Sequence, residues 1–457
     1  MSDNTGALID QGPSDWQIIQ QDTSGFGAIS LRGRWVHPDP GRVEVRLVRE
    51  DTGIAVRDWQ PALTQADHTW SAEISQIPAG GLYRLETRLN HQGNLAGEWS
   101  VRGDTRHFLG VGDLWIIAGQ SNSAGYGRGP YHDPPELGVH LFRNSEQWAL
   151  ATHPMNDATD TKHPVNREGG NPGHSPYLHF GRLLLQELGH PIGLVQTSLG
   201  GSPLSAWNPA QGQAVLYENM VQCAAKVGGR VRGVLWYQGE SDAGTDADAT
   251  SYAQRFSQAV AAWRSALGDP QLQVLTVQLN RVFQVADEGS HRRWTQVREA
   301  QRQVARTDKR VAVVPTLDLP LSDLIHISPA GNLLLGERLA RAALGLVHGK
   351  SSEYRAPDLQ SASRVDAQTI ELRFAPVTSR MDSIDLTSHS FKVEDAEGEV
   401  PIAQVVFSQD ARIQLKLARP LKGKAQVHGG WGYDPQTVPA DMERFMPMLG
   451  FYGAEVS

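Results

Sequence analysis

Four short segments of this chain hold residue types suited to acyl transfer. The first is Asp113–Gly127, in which the apolar run Leu114–Ala118 stops abruptly at Gly119, Gln120, Ser121 and Asn122. The run reads as a buried strand. A parallel strand ending in a small polar turn brings its side chains to the carboxyl edge of a sheet, where open α/β folds bind ligands. A serine on such a turn, followed by a helix start, presents its hydroxyl beside backbone N–H groups, as an acyl-transfer nucleophile requires. The same serine would also serve as a plain helix cap. The second segment, Ser322-Asp-Leu-Ile-His-Ile-Ser328, places Asp323 three residues before His326. On a loop that spacing lets the carboxylate reach the imidazole Nδ1, fix its tautomer and leave Nε2 to take a proton from Ser121. Asp318, nearer the preceding strand, is the alternative partner.

The third segment type supplies hydrogen-bond donors for an oxyanion. Leu199-Gly-Gly-Ser202 follows an apolar run, and its glycines let backbone approach a ligand closely. Val234-Leu-Trp-Tyr-Gln-Gly-Glu-Ser241 carries another run into its loop and sets Gln238 at the strand edge. Gln238 and Glu240 read either as site residues or as a polar network that holds loops together.

These segments need a scaffold. From Val111 to about Leu346, apolar runs at Leu114–Ala118, Ile192–Thr197, Gly233–Tyr237, Leu272–Gln278 and Val311–Val314 alternate with helical patterns at Tyr177–Leu188, Ala214–Val227, Tyr252–Leu267, Arg293–Ala305 and Pro329–Leu344. That alternation predicts a parallel sheet with helices on both faces. Residues 126–174 break the rhythm and read as one long loop, a lid or specificity element. Before this region, period-two stretches such as Ile29–Trp35, Val43–Val48, Trp70–Ile74 and Tyr83–Arg88, with turns at Pro78–Gly81 and Asn94–Gly97, predict a β-sandwich module over 14–109, preceded by a loose lead-in at 1–13. Tryptophans from Trp16 to Trp99 are frequent there, a pattern of core packing or sugar binding. After Ser351 the alternation returns in Thr369–Phe374, Ile413–Leu417 and neighbouring stretches, and predicts a second β module over 350–457. The aromatic tail beyond Gly429 lacks alternation and is expected to fold back onto another part of the chain. The hydrolase-like middle is thus 110–349.

Taken together, Gly119-Gln-Ser-Asn122, Gly200-Gly-Ser-Pro-Leu-Ser-Ala-Trp207, Trp236-Tyr-Gln-Gly-Glu-Ser241 and the Asp323, His326 pair resemble the signature blocks of SGNH-type carbohydrate acetylesterases, and within them the sialate O-acetylesterase-like group. Val297-Arg-Glu-Ala-Gln301 and Gly336-Glu-Arg-Leu-Ala340 add to the likeness. It implies a flavodoxin-like SGNH sheet flanked by β modules. It implies a serine esterase that removes O-acetyl groups from a carbohydrate through an acyl-enzyme. Ser121 would be the nucleophile, His326 the base and Asp323 its orienting acid. The Ser121 and Gly201 N–H groups and the Gln238 side chain would hold the oxyanion, with Gln120, Asn122, Trp207 and Glu240 lining the substrate. Members of the group often read Gln-Gly-Glu-Ser-Asn, whereas the last place here is Asp242, and an ionised Asp cannot donate.

Composition narrows the field. A net charge of -8 argues against a nucleic-acid partner. The single cysteine, Cys223, excludes intrachain disulfides and multi-cysteine zinc sites and reads as a buried inert thiol. No apolar run is long enough to predict a membrane span. No cofactor or metal is expected. The loop histidines His132, His140, His153, His163 and His174 show no helical metal-ligand spacing and are expected to be solvated. An acidic sugar such as sialic acid would call for a cationic pocket group, with Arg128, Arg143, Arg167 and Arg281 as candidates. A neutral acetylated plant polysaccharide, xylan or xyloglucan, is the other expected substrate. The substrate class favours secretion or the periplasm, although Met1–Ala7 lacks the features of a signal peptide. Nothing in the sequence points to a particular oligomeric state. The competing readings are a lipase-like or general carboxylesterase on the same fold, which would want an apolar lid, and a non-catalytic carbohydrate-binding protein.

Overall fold

The strand Val101–Gly119 runs through two layers of the molecule. A computed structural model describes residues 5–38, 40–91, 101–170, 172–350, 353–385 and 388–457; the turn at Asn94–Gly97 and Trp99 lie outside them. The first half of the strand pairs with Leu82–His91 in the N-terminal β module. Its second half, Leu114–Ala118, is wholly buried and pairs in parallel with Ile192–Gln196 on one side and Gly233–Tyr237 on the other. Five consecutive apolar residues fit a strand covered on both faces. The expected boundary at 109/110 therefore falls inside one continuous strand, with no linker.

The central sheet continues through Gln273–Val277 to Val311–Val314 on one side. On the other it extends through Val139–Phe142, parallel to Ile192–Gln196, and ends in the antiparallel edge strand Trp148–Leu150. The fold is thus mixed α/β, and two expectations need correction. The sheet is not purely parallel, because it carries an antiparallel edge and shares the Val101–Gly119 strand with the N-terminal module in one eleven-stranded sheet. Nor is 126–174 one continuous loop, since two of its pieces are strands of the central sheet. Their signal is hidden because Val139-His-Leu-Phe142 is only four residues long and sits among Gly, Pro and His.

The helices are α1 (Ser121–Ala124), α2 (Tyr177–Leu188), α3 (Val215–Lys226), α4 (Asp246–Ala266), α5 (Glu288–Thr307) and α6 (Pro329–Leu346). α2 packs on α6, while α3, α4 and α5 pack in series. Right-handed crossovers place the two groups on opposite faces of the sheet. α4 starts six residues before its apolar periodicity because Thr245 caps the Asp248 N–H, and Asp246 and Asp248 suit the positive end of the helix. Cys223 is buried on α3, where burial, with Glu146 secondary, pushes its thiol up to about 12. No helix among the described residues is long and apolar enough to cross a membrane.

In the N-terminal module, Gly6–Gln11 pairs with Phe26–Val36, so part of the expected lead-in is a strand. Trp35 and Trp70 are buried between the two layers with Val43, Val45, Leu85 and Leu89, which makes packing their role. The C-terminal module buries Ile370, Leu372, Val393, Ile413, Leu415 and Val427 between its sheets. Its tail returns to the hydrolase domain. Arg298 of α5, fully buried, donates to the Gly430 and Gly432 carbonyls, and Gln278 exchanges two hydrogen bonds with the backbone of Gly450.

Candidate active site

The carboxyl ends of the central strands gather the predicted segments along one rim. Ser121 is the first residue of α1, directly after the middle strand. The first N–H groups of a helix have no intrahelical acceptor, so the Ser121 N–H is a ready donor. Gly119, at φ 123°, makes the turn possible. A Cβ there would lie 2.1 Å from the Tyr237 carbonyl oxygen.

Asp323 and His326 form the expected pair. His326 Nδ1 lies 2.7 Å from Asp323 Oδ2, and Asp323 Oδ1 accepts from the N–H groups of Ile325 and His326 at 2.9 and 2.8 Å. Partial burial pushes the Asp323 carboxyl up, but the Ile325 N–H, the His326 ring and the His326 N–H outweigh it, and the carboxyl sits below its ordinary range. Asp318 is not the partner. It makes a two-pronged ion pair with Arg338 at 2.8 and 2.6 Å.

The link between the two segments is Asn122. Its Oδ1 accepts from the Ile327 N–H at 3.0 Å, and its Nδ2 donates to the Ile325 carbonyl at 3.3 Å. Both backbone neighbours of His326 are therefore tied to the residue next to Ser121. The Ile325 carbonyl also accepts from Asn280 Nδ2 at 2.6 Å. Tyr126 stacks on the imidazole, with ring centroids 5.0 Å apart. Tyr126 in turn donates to Glu168 at 2.6 Å, and Glu168 also accepts from the Gly200 N–H at 2.7 Å. Asn280, Tyr126 and Glu168 were missed in the sequence. Tyr126 sits in the same segment as Ser121 and was within reach of inspection, whereas Glu168 and Asn280 acquire meaning only through contacts far along the chain.

Asn122 has a third contact. Its Nδ2 also donates to Glu240 Oε1 at 2.8 Å, while Glu240 Oε2 is buried without a partner. Burial pushes the Glu240 carboxyl up to about 7 against the Asn122 hydrogen bond, with the nearby Asp242 adding to the rise. Glu240 is thus a buried support for Asn122 and not a lining group.

The other predicted residues are placed as follows. Gln238 is fully buried, and its Nε2 is already donating to Asp242 Oδ2 at 2.6 Å and to Gln120 Oε1 and the Ser202 carbonyl, both at 3.3 Å. Its Oε1 accepts from Tyr252, 2.9 Å away. An amide held this way is not aimed at an oxyanion, so the network reading holds for Gln238. Gln120 is buried in the same network and also accepts from the Ser241 N–H. Trp207 is wholly buried and donates to Ser202 Oγ at 3.1 Å, so it shapes the Gly200–Trp207 turn from inside rather than lining a sugar. Asp242 pairs with Arg255 at 2.6 Å and accepts from the Leu204 N–H at 2.8 Å. A carboxylate at this position answers the arginine and pins the same turn. Gly201, exposed at φ 69° with open space around it, is the glycine whose backbone remains accessible, whereas the Gly200 N–H is spent on Glu168.

Of the candidate cations, Arg143 is bound to Thr152 Oγ1 and Arg281 to Asp434. Arg167 reaches the Thr161 carbonyl. Arg128 is exposed, and its N–H donates to Ser322 Oγ beside the Asp323, His326 loop. The histidines of 126–174 are not generally solvated. His140 and His174 are buried, and the His153 side chain is 2% exposed.

Comparison with known proteins gives the site a context. The model of the family described as carbohydrate esterase, sialic acid-specific acetylesterase, matches residues 111–345. A protein of Arabidopsis thaliana named as a probable carbohydrate esterase is 31% identical over 254 residues, which cover 50% of this chain and 90% of that protein. Human sialate O-acetylesterase is 26% identical over 251 residues, 47% of this chain and 46% of the human protein, so the chain matches under half of that relative's length. Among solved structures, a carbohydrate acetylesterase from Xanthomonas citri superposes with a TM-score of 0.65 over 96% of this chain and 97% of that one, at 22% identity.

Proposed function

Because the chain belongs to the sialic acid-specific acetylesterase family of carbohydrate esterases, we propose that it is a serine esterase that removes O-acetyl groups from a sugar through an acyl-enzyme. Ser121 Oγ attacks the acetyl carbonyl while His326 Nε2 takes its proton. Asp323 holds Nδ1 and stabilises the imidazolium that forms. The Ser121 and Gly201 N–H groups receive the oxyanion. His326 returns the proton to the departing sugar hydroxyl, and water then repeats the sequence to release acetate. The scaffold reading is the flavodoxin-like SGNH arrangement, since the five helix-linked strands run in the spatial order second, first, third, fourth, fifth. Ser121 then lies where strand connections diverge, the usual ligand position of such sheets.

The observation that carries this reading is the Asn122 tether, which ties both sides of His326 to the residue beside Ser121. The substrate is an acetylated carbohydrate, either sialic acid or an acetylated plant polysaccharide. Arg128 is the cation available to an acidic sugar. Ser121→Ala should abolish acetate release from acetylated sugars and from 4-nitrophenyl acetate while leaving the circular dichroism unchanged. Retained turnover would overturn the assignment. Acetate release across O-acetylated sialic acid, xylan and xyloglucan separates the substrates. Arg128→Ala should raise KM for the sialic acid ester alone.

A further inference from the structure

Residues 126–174 lead from the nucleophile turn to the sheet edge and back, and three of their side chains converge on one point. Ligand-type atoms of Asp133, His153 and His174 all lie within 4.8 Å of one another. Asp133 Oδ2 is 2.9 Å from His153 Nε2 and 3.2 Å from His174 Nε2. The two imidazoles stack with centroids 4.2 Å apart, which aims both Nε2 atoms at the same carboxylate oxygen. Asp133 and His174 side chains are wholly buried. Arg182 Nη1 takes the other oxygen, Oδ1, at 2.7 Å. Tyr131 packs edge-on against both rings.

A hydrogen-bonded cluster accounts for this poorly. It crowds two imidazole donors onto one oxygen, while the buried Nδ1 atoms of His153 and His174 lack a partner in either arrangement. Coordination uses the convergence directly, because each of the three residues offers one ligand atom within 4.8 Å of the other two. The two oxygen–nitrogen separations of 2.9 and 3.2 Å suit ligands of one cation bound at about 2.0–2.1 Å. Arg182 on Oδ1 then fixes the ligating carboxylate from outside, as partners of metal ligands commonly do. Two imidazoles and a carboxylate, with no thiolate, suit a first-row divalent ion such as zinc.

We propose that Asp133, His153 and His174 form a structural binding site for a divalent cation of the zinc class. The site clips the outgoing and returning arms of 126–174 together, and closing a long loop limits the freedom of the unfolded chain. The clip reaches the esterase site through backbone. The His174 carbonyl accepts from the Gly127 N–H at 3.1 Å and from Asn332 Nδ2 at 2.9 Å, and Gly127 follows Tyr126, whose ring lies on His326. None of the three ligands belongs to the proposed triad, so this inference stands or falls separately from it.

The test is a zinc titration of the 457-residue chain, stripped with EDTA and dialysed, against a chromophoric chelator, with thermal melts alongside. One tight equivalent per chain is expected. At a zinc concentration a hundred times the dissociation constant, the folded-to-unfolded ratio should rise about a hundredfold, and EDTA should reverse the gain. His153→Gln and Asp133→Asn should each lose that equivalent, while His132→Gln, at an exposed position of the same segment, should keep it. Absence of a stoichiometric equivalent in the wild-type chain overturns the proposal, even if a variant fails to fold. Retention of the equivalent in both ligand variants overturns it as well.

Discussion

Replacing Glu240 with Gln should change how the stability of this protein depends on pH. The carboxyl is buried, one of its oxygens has no partner, and burial pushes it from an ordinary 4.5 up to about 7. The unfolded chain loses this proton near the ordinary value. Between about pH 4.5 and 7 the folded state therefore holds a proton that the unfolded state has released, and stability falls as pH rises through that window. A gap of that size corresponds to about 3 kcal/mol, of which about 2.5 kcal/mol is lost between pH 5 and pH 8. Gln has the same shape, keeps an oxygen for Asn122 Nδ2 and never ionises. Its amide nitrogen would be buried without an acceptor, at a cost of about 1–3 kcal/mol that does not vary with pH. Glu240→Gln should accordingly be less stable than wild type at pH 5 and comparable or more stable at pH 8. Urea unfolding followed by tryptophan fluorescence at the two pH values measures the change. Stability differences that agree within about 0.5 kcal/mol at both pH values would refute the argument that burial controls this carboxyl.

Further outcomes follow from the same network. Asn122→Ala removes the tether of the His326 loop and a side-chain donor on Glu240, so acetate release should fall by about a hundredfold or more through misplacement of the base, with kcat affected more than KM. Asp323→Asn should lower kcat/KM by about 10^2 to 10^4-fold without unfolding the protein. Because the Asp323 carboxyl is held below its ordinary range by the Ile325 N–H and by His326, protonation of Asp323 should not limit the wild-type rate until below the ordinary carboxylate range. Arg255→Met strands the buried Asp242 charge and should cost about 3–5 kcal/mol of stability by urea unfolding, and Asp242→Asn in the same chain should recover part of it.

The parts of the fold legible in the sequence are those where one physical signal dominates. Leu114–Ala118 and Gly233–Tyr237 are continuous apolar runs because both faces of the sheet are covered. The Asp323, His326 pair is local, so its spacing announces it. The signal fails where meaning comes from distant partners. Gln238 and Glu240 lie two residues apart in one motif, yet one is absorbed by Asp242, Gln120 and Tyr252 and the other supports Asn122. Side-chain chemistry alone treats both as donors or acceptors waiting for a ligand. Trp207 misleads for a similar reason, because a tryptophan in a glycine-rich turn suits a sugar platform as well as it suits the interior. Gly6–Gln11 and Val139–Phe142 are strands through pairing with long neighbours, not through a period of their own. The convergence of Asp133, His153 and His174 depends on a chain path that no local spacing records.

If Ser121 is the nucleophile it becomes acylated during turnover, and the adduct can be trapped. The protein is mixed with 4-nitrophenyl acetate, quenched in acid within the first turnover, digested and sequenced by mass spectrometry. An acetyl group is expected on the peptide that carries Ser121, and its accumulation when His326 is replaced by Ala should be strongly reduced. An acetyl group on a different residue, or turnover with Ser121 unmodified and unreactive toward a fluorophosphonate probe, would contradict that role for Ser121.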